Sequence, residues 1–167
     1  MKDITIVDNF INDEELEEVI DAINHSSWTY TSRSTKEEIL FWYAEMIQEA
    51  TLGKQMLTKI EKIFGKKYTI DRMYANGQTF GQDGSFHPDS FEENAYTLLI
   101  YVSPITEENV DIIGGFTQIK QGTNIINIQP YQKRALFFKS TLIHRGMAPS
   151  RICDMLRISF AIKVHEV

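Results

Sequence analysis

His87-Pro88-Asp89 sets an imidazole and a carboxylate two positions apart, and in extended chain such side chains project to the same side. Both can then reach one ion. A further donor, His144, follows the apolar run Ala135 to Phe138 and the short stretch Lys139 to Ile143. An antiparallel barrel can bring His87 and His144 together on neighbouring strands. Two imidazoles and a carboxylate on one side of an ion leave its opposite coordination positions open, the arrangement of a non-heme Fe(II) facial triad. His-x-Asp alone is a weak signal, because it also arises in surface turns. The elements after it strengthen the reading. The other histidines of the four are His25, behind an amphipathic helix, and His165; both are expected to be exposed and inert.

These donors need elements to hold them, and the chain supplies two kinds. Ile4 to Val7 is a short β-branched run. Asn12 with Glu15 forms a capping-box pattern, and Leu16, Val19, Ile20 and Ile23 follow at helical spacing. Ser34 with Glu37 predicts a second helix through Ile39, Trp42, Met46 and Ile47. Met56, Leu57, Ile60 and Phe64 form a third stripe, stopped by Gly65. Beyond it, Tyr68 to Tyr74, Tyr96 to Ser103, Phe116 to Lys120, Asn124 to Ile128, Arg134 to Phe138 and Leu156 to Val164 read as strands. Strands of this number and spacing predict a sandwich or small barrel, with helices on one outer face. One domain is expected, with residues 1–66 as a helical support region and 67–167 as the β core. Ala75 to Phe86, with Asn76-Gly77, Gly81 and Asp83-Gly84, reads as a mobile loop at the mouth of the site.

Bulk properties narrow the function classes. A chain of 167 residues can bury a core, and 43% hydrophobic with 24% charged residues is ordinary for a soluble globular protein. No apolar run approaches the ~18 residues of a membrane span, and the N-terminus lacks an apolar signal core. A single cysteine, Cys153, allows neither an internal disulfide nor a thiolate metal site, so a cytoplasmic protein is expected. The net charge is −6, and the positive residues are scattered, with Lys66-Lys67 and Lys133-Arg134 as isolated pairs. Nucleic acid and membrane are therefore not expected partners. A local basic pocket for a small dicarboxylate is compatible with this charge.

The order of motifs is more specific. Tyr74-Ala75-Asn76-Gly77 precedes His87-Pro88-Asp89. Tyr96 to Ser103, Gly114-Gly115-Phe116-Thr117, and Pro130 with Arg134 to Phe138 come next. His144-Arg145-Gly146-Met147-Ala148-Pro149-Ser150 and Arg157-Ile158-Ser159-Phe160 close the series. This resembles the prolyl 4-hydroxylase-like branch of the 2-oxoglutarate/Fe(II)-dependent oxygenases, including its short stand-alone bacterial and phage forms. The resemblance runs from about Ile4 to Val164, and its specific part is Tyr74 to Lys163. It departs at Phe116, where the family commonly has Glu, and at Lys133, where it favours Gly.

The resemblance implies a mainly β chain with N-terminal helices around a double-stranded β-helix, the cupin-like jelly roll. It implies Fe(II) on His87, Asp89 and His144, 2-oxoglutarate as cosubstrate, O2, and ascorbate as a reductant. The distal carboxylate of 2-oxoglutarate would lie inside the barrel, where an arginine fork suits it. The family places its basic anchor where Arg157 stands, with Ser159 on the same side; Arg151 and Lys163 are the rivals. Tyr74 and Thr97 are expected to line the cosubstrate pocket, and Tyr101 shares the face of Thr97. The implied reaction hydroxylates a C–H bond of a peptidyl proline, an amino acid or another small substrate, releasing succinate and CO2. Related halogenases lack the carboxylate, so Asp89 favours hydroxylation. A cupin-like metal-binding protein or non-oxygenase metal enzyme on the same barrel would keep the histidines but need no buried arginine. A decayed, structural site is disfavoured by the complete triad, and a nucleic-acid demethylase by the acidic charge.

Overall fold

The computed structural model describes residues 3–35 and 39–167. The first elements are β1 (Ile4–Val7), α1 (Asp13–His25), β2 (Trp28–Ser32), β3 (Phe41–Glu45) and α2 (Ala50–Phe64). Next come β4 (Tyr68–Gln78), β5 (Ala95–Tyr101) and the short α3 (Val110–Ile113). The remaining strands are β6 (Thr117–Gln121), β7 (Asn124–Ile128), β8 (Ala135–Lys139), β9 (His144–Gly146) and β10 (Arg157–Glu166). No helix among the described residues is long and apolar enough to cross a membrane.

The strands form a seven-stranded antiparallel sheet, ordered β1-β8-β5-β10-β4-β3-β2, and a three-stranded sheet, β7-β6-β9. Together they make the expected jelly roll. The pleat divides the large sheet into two faces. Met73 and Ala75 of β4, Leu98 and Ile100 of β5, and Phe160 and Ile162 of β10 face one core. Leu16, Val19 and Ile23 of α1 and Met56 and Ile60 of α2 close that core from outside. Each such buried aliphatic side chain contributes roughly 1.5–3 kcal/mol. The opposite face turns toward the small sheet. There Tyr101, Leu136 and Phe138 pack on Ile119 and Ile128 at one end, and a pocket fills the other.

Both expected helix signals at α1 and α2 are real. The Asn12 side chain accepts from the Glu15 amide and the Glu15 carboxylate accepts from the Asn12 amide, each at 2.8 Å. Gly65 ends α2 in the left-handed conformation, φ 66°. The helix expected from Ser34 is not formed. Phe41–Glu45 is strand β3, paired with β2 and β4, so the N-terminal third contributes strands as well as helices. Phe41 and Ala44 are buried while Trp42 and Ile47 are exposed, so the stripe does not bury as one helical face. Glu37 lies outside the described residues.

The loop expected at 75–86 is also corrected. Ala75 to Gln78 continue β4, and Gly77 is required by packing: a Cβ there would meet Leu156 Cδ2 at 2.5 Å. The rest is tied down. Gly84 N–H donates to Gly146 O at 2.8 Å, and Ala148 N–H donates to Asp83 Oδ1 at 2.8 Å.

Lys133 stands at a position whose backbone favours glycine. It occupies the left-handed region, φ 68°, in a turn closed by Arg134 N–H on Tyr131 O at 3.0 Å. That conformation costs a side-chain-bearing residue on the order of 1 kcal/mol. Its ammonium bridge to Asp13, 2.8 Å, offsets little, because the Asp13 side chain is 86% exposed. Lys133→Gly is therefore expected to stabilise the fold by about 0.5–1 kcal/mol, read as a higher urea midpoint at unchanged slope. A lower midpoint would mean the Asp13 bridge outweighs the backbone strain.

Candidate active site

The site starts from a backbone constraint. His87 and His144 exchange two hydrogen bonds of 3.0 Å in an isolated antiparallel bridge. Asp89 N–H donates to Ser140 O at 2.8 Å, which pins the segment between β4 and β5 to the turn before β9. In turn β9 pairs with β6, Ile119 opposite His144. Two segments far apart in sequence, 87–89 and β9, thus present His87, Asp89 and His144 to one point, their ligand atoms all within 4.8 Å of one another.

Second contacts fix the rings. His87 Nδ1 lies 2.8 Å from Ser85 O and His144 Nδ1 lies 2.9 Å from Leu142 O. A carbonyl oxygen only accepts, so both Nδ1 atoms carry a proton and both Nε2 atoms are turned to the site. Those Nε2 atoms face Asp89, His87 at 3.7 Å from Oδ1 and His144 at 3.3 Å from Oδ2. Burial would raise the Asp89 pKa, but Lys163, His144 and hydrogen bonds from Lys163 and Thr97 outweigh it and hold it at about 2. Burial pushes His144 down to about 4. At neutral pH, then, Asp89 is ionised and His144 neutral, the forms that bind a metal.

Arg157 opens β10 at the far end of the same pocket and is 2% exposed. Its Nε donates to Gly115 O at 3.0 Å; Nη1 donates to Gln78 Oε1 at 3.3 Å and Ser159 Oγ at 3.2 Å. Nη2 donates to Thr117 Oγ1 at 3.4 Å. All four partners are neutral, and no carboxylate pairs with Arg157 among the described residues. Burial presses its pKa downward. The paired glycines make the fit: Gly114 and Gly115 have φ of 71° and 77°, and a Cβ on Gly115 would lie 3.1 Å from Arg157 Cγ. Beside this end, Asn76 Oδ1 is buried with no hydrogen-bond partner.

The other expected residues divide between the two ends. Ser159 touches Arg157. Thr97 donates to Asp89 Oδ2 at 2.6 Å, beside the triad. Tyr74 lines the pocket away from Arg157, its ring 5.8 Å from Lys163 Nζ. Tyr101 is buried with its ring 5.5 Å from Arg157 Cζ, and its hydroxyl donates to Thr117 at 2.8 Å. Lys163 bonds to Asp89, and exposed Arg151 lies outside the pocket. His25 is exposed; His165 is half-buried, its Nδ1 2.6 Å from Asp71 Oδ1. Phe116 packs beside Ile105, Val110 and Ile113, outside the pocket. Sequence reasoning missed Gln78, Thr117, Tyr43 and Arg72 as pocket residues. Carrying the β4 alternation past Tyr74 would have found Gln78.

No family model matches the chain, and no curated protein matches it by sequence. Solved structures do match. An oxidoreductase of the 2OG-Fe(II) oxygenase family from Burkholderia pseudomallei superposes with TM-score 0.79 and 11% identity, over 98% of this chain and 85% of that one. The viral collagen prolyl hydroxylase of Paramecium Bursaria Chlorella virus-1, solved with 2OG, gives TM-score 0.59 and 20% identity, over 99% and 97%. HygX from Streptomyces hygroscopicus, solved with nickel, 2-oxoglutarate and hygromycin B, gives 0.72 and 9%, over 98% and 82%. At these identities the likeness is one of fold: this chain has the fold of 2OG-Fe(II) oxygenases.

His87→Ala, Asp89→Ala and His144→Ala are each expected to weaken Mn(II) or Fe(II) binding by at least about a hundredfold while leaving circular dichroism unchanged. Thr97→Val, which deletes one hydrogen bond to Asp89, should cost about tenfold. Calorimetric titration under argon checks both; parent-like affinity in all three alanine variants would contradict a metal centre here.

Proposed function

We propose that the chain, residues 1–167, is one Fe(II)- and 2-oxoglutarate-dependent dioxygenase domain. It hydroxylates a C–H bond of a peptidyl proline, an amino acid or another small substrate and releases succinate and CO2. The observation that carries this reading is the buried Arg157 guanidinium with neutral partners only, in the same pocket as the His87, Asp89 and His144 cluster. A metal-binding barrel alone has no use for that charge. A dicarboxylate cosubstrate does.

The donor set fits the metal: two neutral imidazole nitrogens and one carboxylate suit Fe(II) and leave room for further ligands. Bound there, iron supplies oxygen activation and the oxidation of the C–H bond. The chain supplies the rest. Arg157 binds the distal carboxylate, with an N–H on Nη2 that has no acceptor among the described residues. Gly115, Gln78, Ser159 and Thr117 aim the guanidinium. Lys163 stands too near the metal cluster to serve as that anchor, because a five-carbon diacid chelating at the triad cannot fold back onto an ammonium already touching Asp89. Phe138, edge-on to the His144 ring at 4.7 Å, and Leu99 give the pocket apolar walls that limit water. O2 is the oxidant, with ascorbate as reductant for idle turnovers. The single thiol, Cys153, unpaired and half-buried, supports a reducing, cytoplasmic setting.

Anaerobic Fe(II) with 2-oxoglutarate should give the visible charge-transfer band of a chelated keto acid. Arg157→Ala should weaken 2-oxoglutarate binding by about a hundredfold, since a desolvated charge-assisted pair loses several kcal/mol when one partner goes. Arg157→Lys should recover only part, and Arg151→Ala should change nothing. Metal affinity should stay constant throughout. A parent that binds metal but never 2-oxoglutarate would favour the cupin-like reading instead.

A further inference from the structure

The pocket concentrates positive charge on an acidic protein. Among the described residues that line it are four cations, Arg33, Arg72, Lys163 and Arg157, and one carboxylate, Asp89. Arg72 and Lys163 are direct cross-strand partners of β4 and β10 and lie on the same face. Lys163 is paired with Asp89, whereas Arg72 forms no ion pair with a carboxylate among the described residues.

The strand register separates this pair from Arg157. Gln78 stands opposite Arg157, whereas Arg72 and Thr97 stand opposite Lys163, six residues or roughly 20 Å further along β10. The triad lies level with this pair, since Asp89 bonds Lys163 and Thr97. Aromatic faces hold the outer cations: Arg72 Cζ is 4.8 Å from the Tyr74 ring and 5.3 Å from the Tyr43 ring. Arg72 Nη2 also donates to Tyr43 Oη at 3.1 Å. Two carboxylates stand near. Glu45 takes the Tyr43 hydroxyl at 2.5 Å but forms no ion pair with Arg72 among the described residues, and Asp89 belongs to the metal cluster. If 2-oxoglutarate takes Arg157 and the metal, as proposed above, Arg72 and Lys163 are left facing the prime substrate.

We propose that Arg72 and Lys163, walled by Tyr43 and Tyr74, form a subsite for an anionic group, carboxylate or phosphate, of a small-molecule prime substrate. Exposed Arg72 takes that group beside Lys163, so the C–H bond to be oxidised is turned toward the triad that Lys163 adjoins. Neutral peptide segments gain nothing from this end of the pocket.

The test uses the anaerobic Fe(II)–2-oxoglutarate complex at saturating cosubstrate, titrated calorimetrically with inorganic phosphate. N-acetyl amino acids, each as free acid and as neutral methylamide, form a second series. Phosphate and the acids should bind, and the amides at least about tenfold more weakly. Arg72→Gln should weaken phosphate by about tenfold and Arg72→Lys by less, with 2-oxoglutarate affinity kept within about twofold, because Arg157 lies at the other end. The unchanged cosubstrate affinity also shows that the variant is folded. Phosphate binding in Arg72→Gln equal to the parent, amides binding as well as acids, or phosphate displacing 2-oxoglutarate would each overturn the subsite. Failure of the parent to bind 2-oxoglutarate would instead sink the underlying oxygenase reading.

Discussion

A guanidinium taken out of water without a carboxylate beside it is among the most costly groups a protein can hold, and Arg157 is such a group. The fold around it makes sense as the means of tolerating that charge. The Gly114-Gly115 turn lets a carbonyl reach Nε, Thr117 begins β6 with its hydroxyl turned to Nη2, and Gln78 ends β4 opposite Arg157. Four neutral dipoles soften the desolvation, yet none neutralises it. The position is stable enough to exist and poised to take an anion.

One strand organises both halves of the molecule. On one face of β10, Phe160, Ile162 and Val164 enter the core closed by α1 and α2. On the other, Arg157, Ser159, Ala161 and Lys163 line the pocket. Hydrophobic burial on the first face holds the charges of the second in place, with β4 and β5 locked on either side. The triad is attached to this frame from the small sheet, through the His87–His144 bridge and the β9–β6 pairing. Because His144 and Thr117 both project from that small sheet, the metal cluster and the Arg157 end share a single wall.

Local features were legible in the sequence and long-range ones were not. The Asn12–Glu15 cap could be read because its bonds span one helical turn, and His87 with Asp89 because the pleat repeats every second residue. The stripe from Ile39 to Ile47 misled because Ile39, Trp42 and Ile47 are apolar residues left exposed, so their helical spacing marks no common buried face. Pairing with β4 decides it, and pairing is invisible in one sequence. The glycines of 77 to 84 suggested motion, but Gly77 and Gly84 serve close approach. Lys163 was visible as a cation on the right strand, and only the register with Thr97 and Arg72 assigns it to Asp89 and the outer pocket.

The central claim is that one pocket takes a metal at His87, Asp89 and His144 and a dicarboxylate spanning from that metal to Arg157. A crystal structure of the anaerobic protein with Mn(II) and 2-oxoglutarate tests it directly. Electron density is expected for metal on the three side chains and for the distal carboxylate on the Arg157 guanidinium, between Thr117 and Ser159. Density placing that carboxylate on Lys163 or Arg72, or metal away from the two histidines, would contradict it.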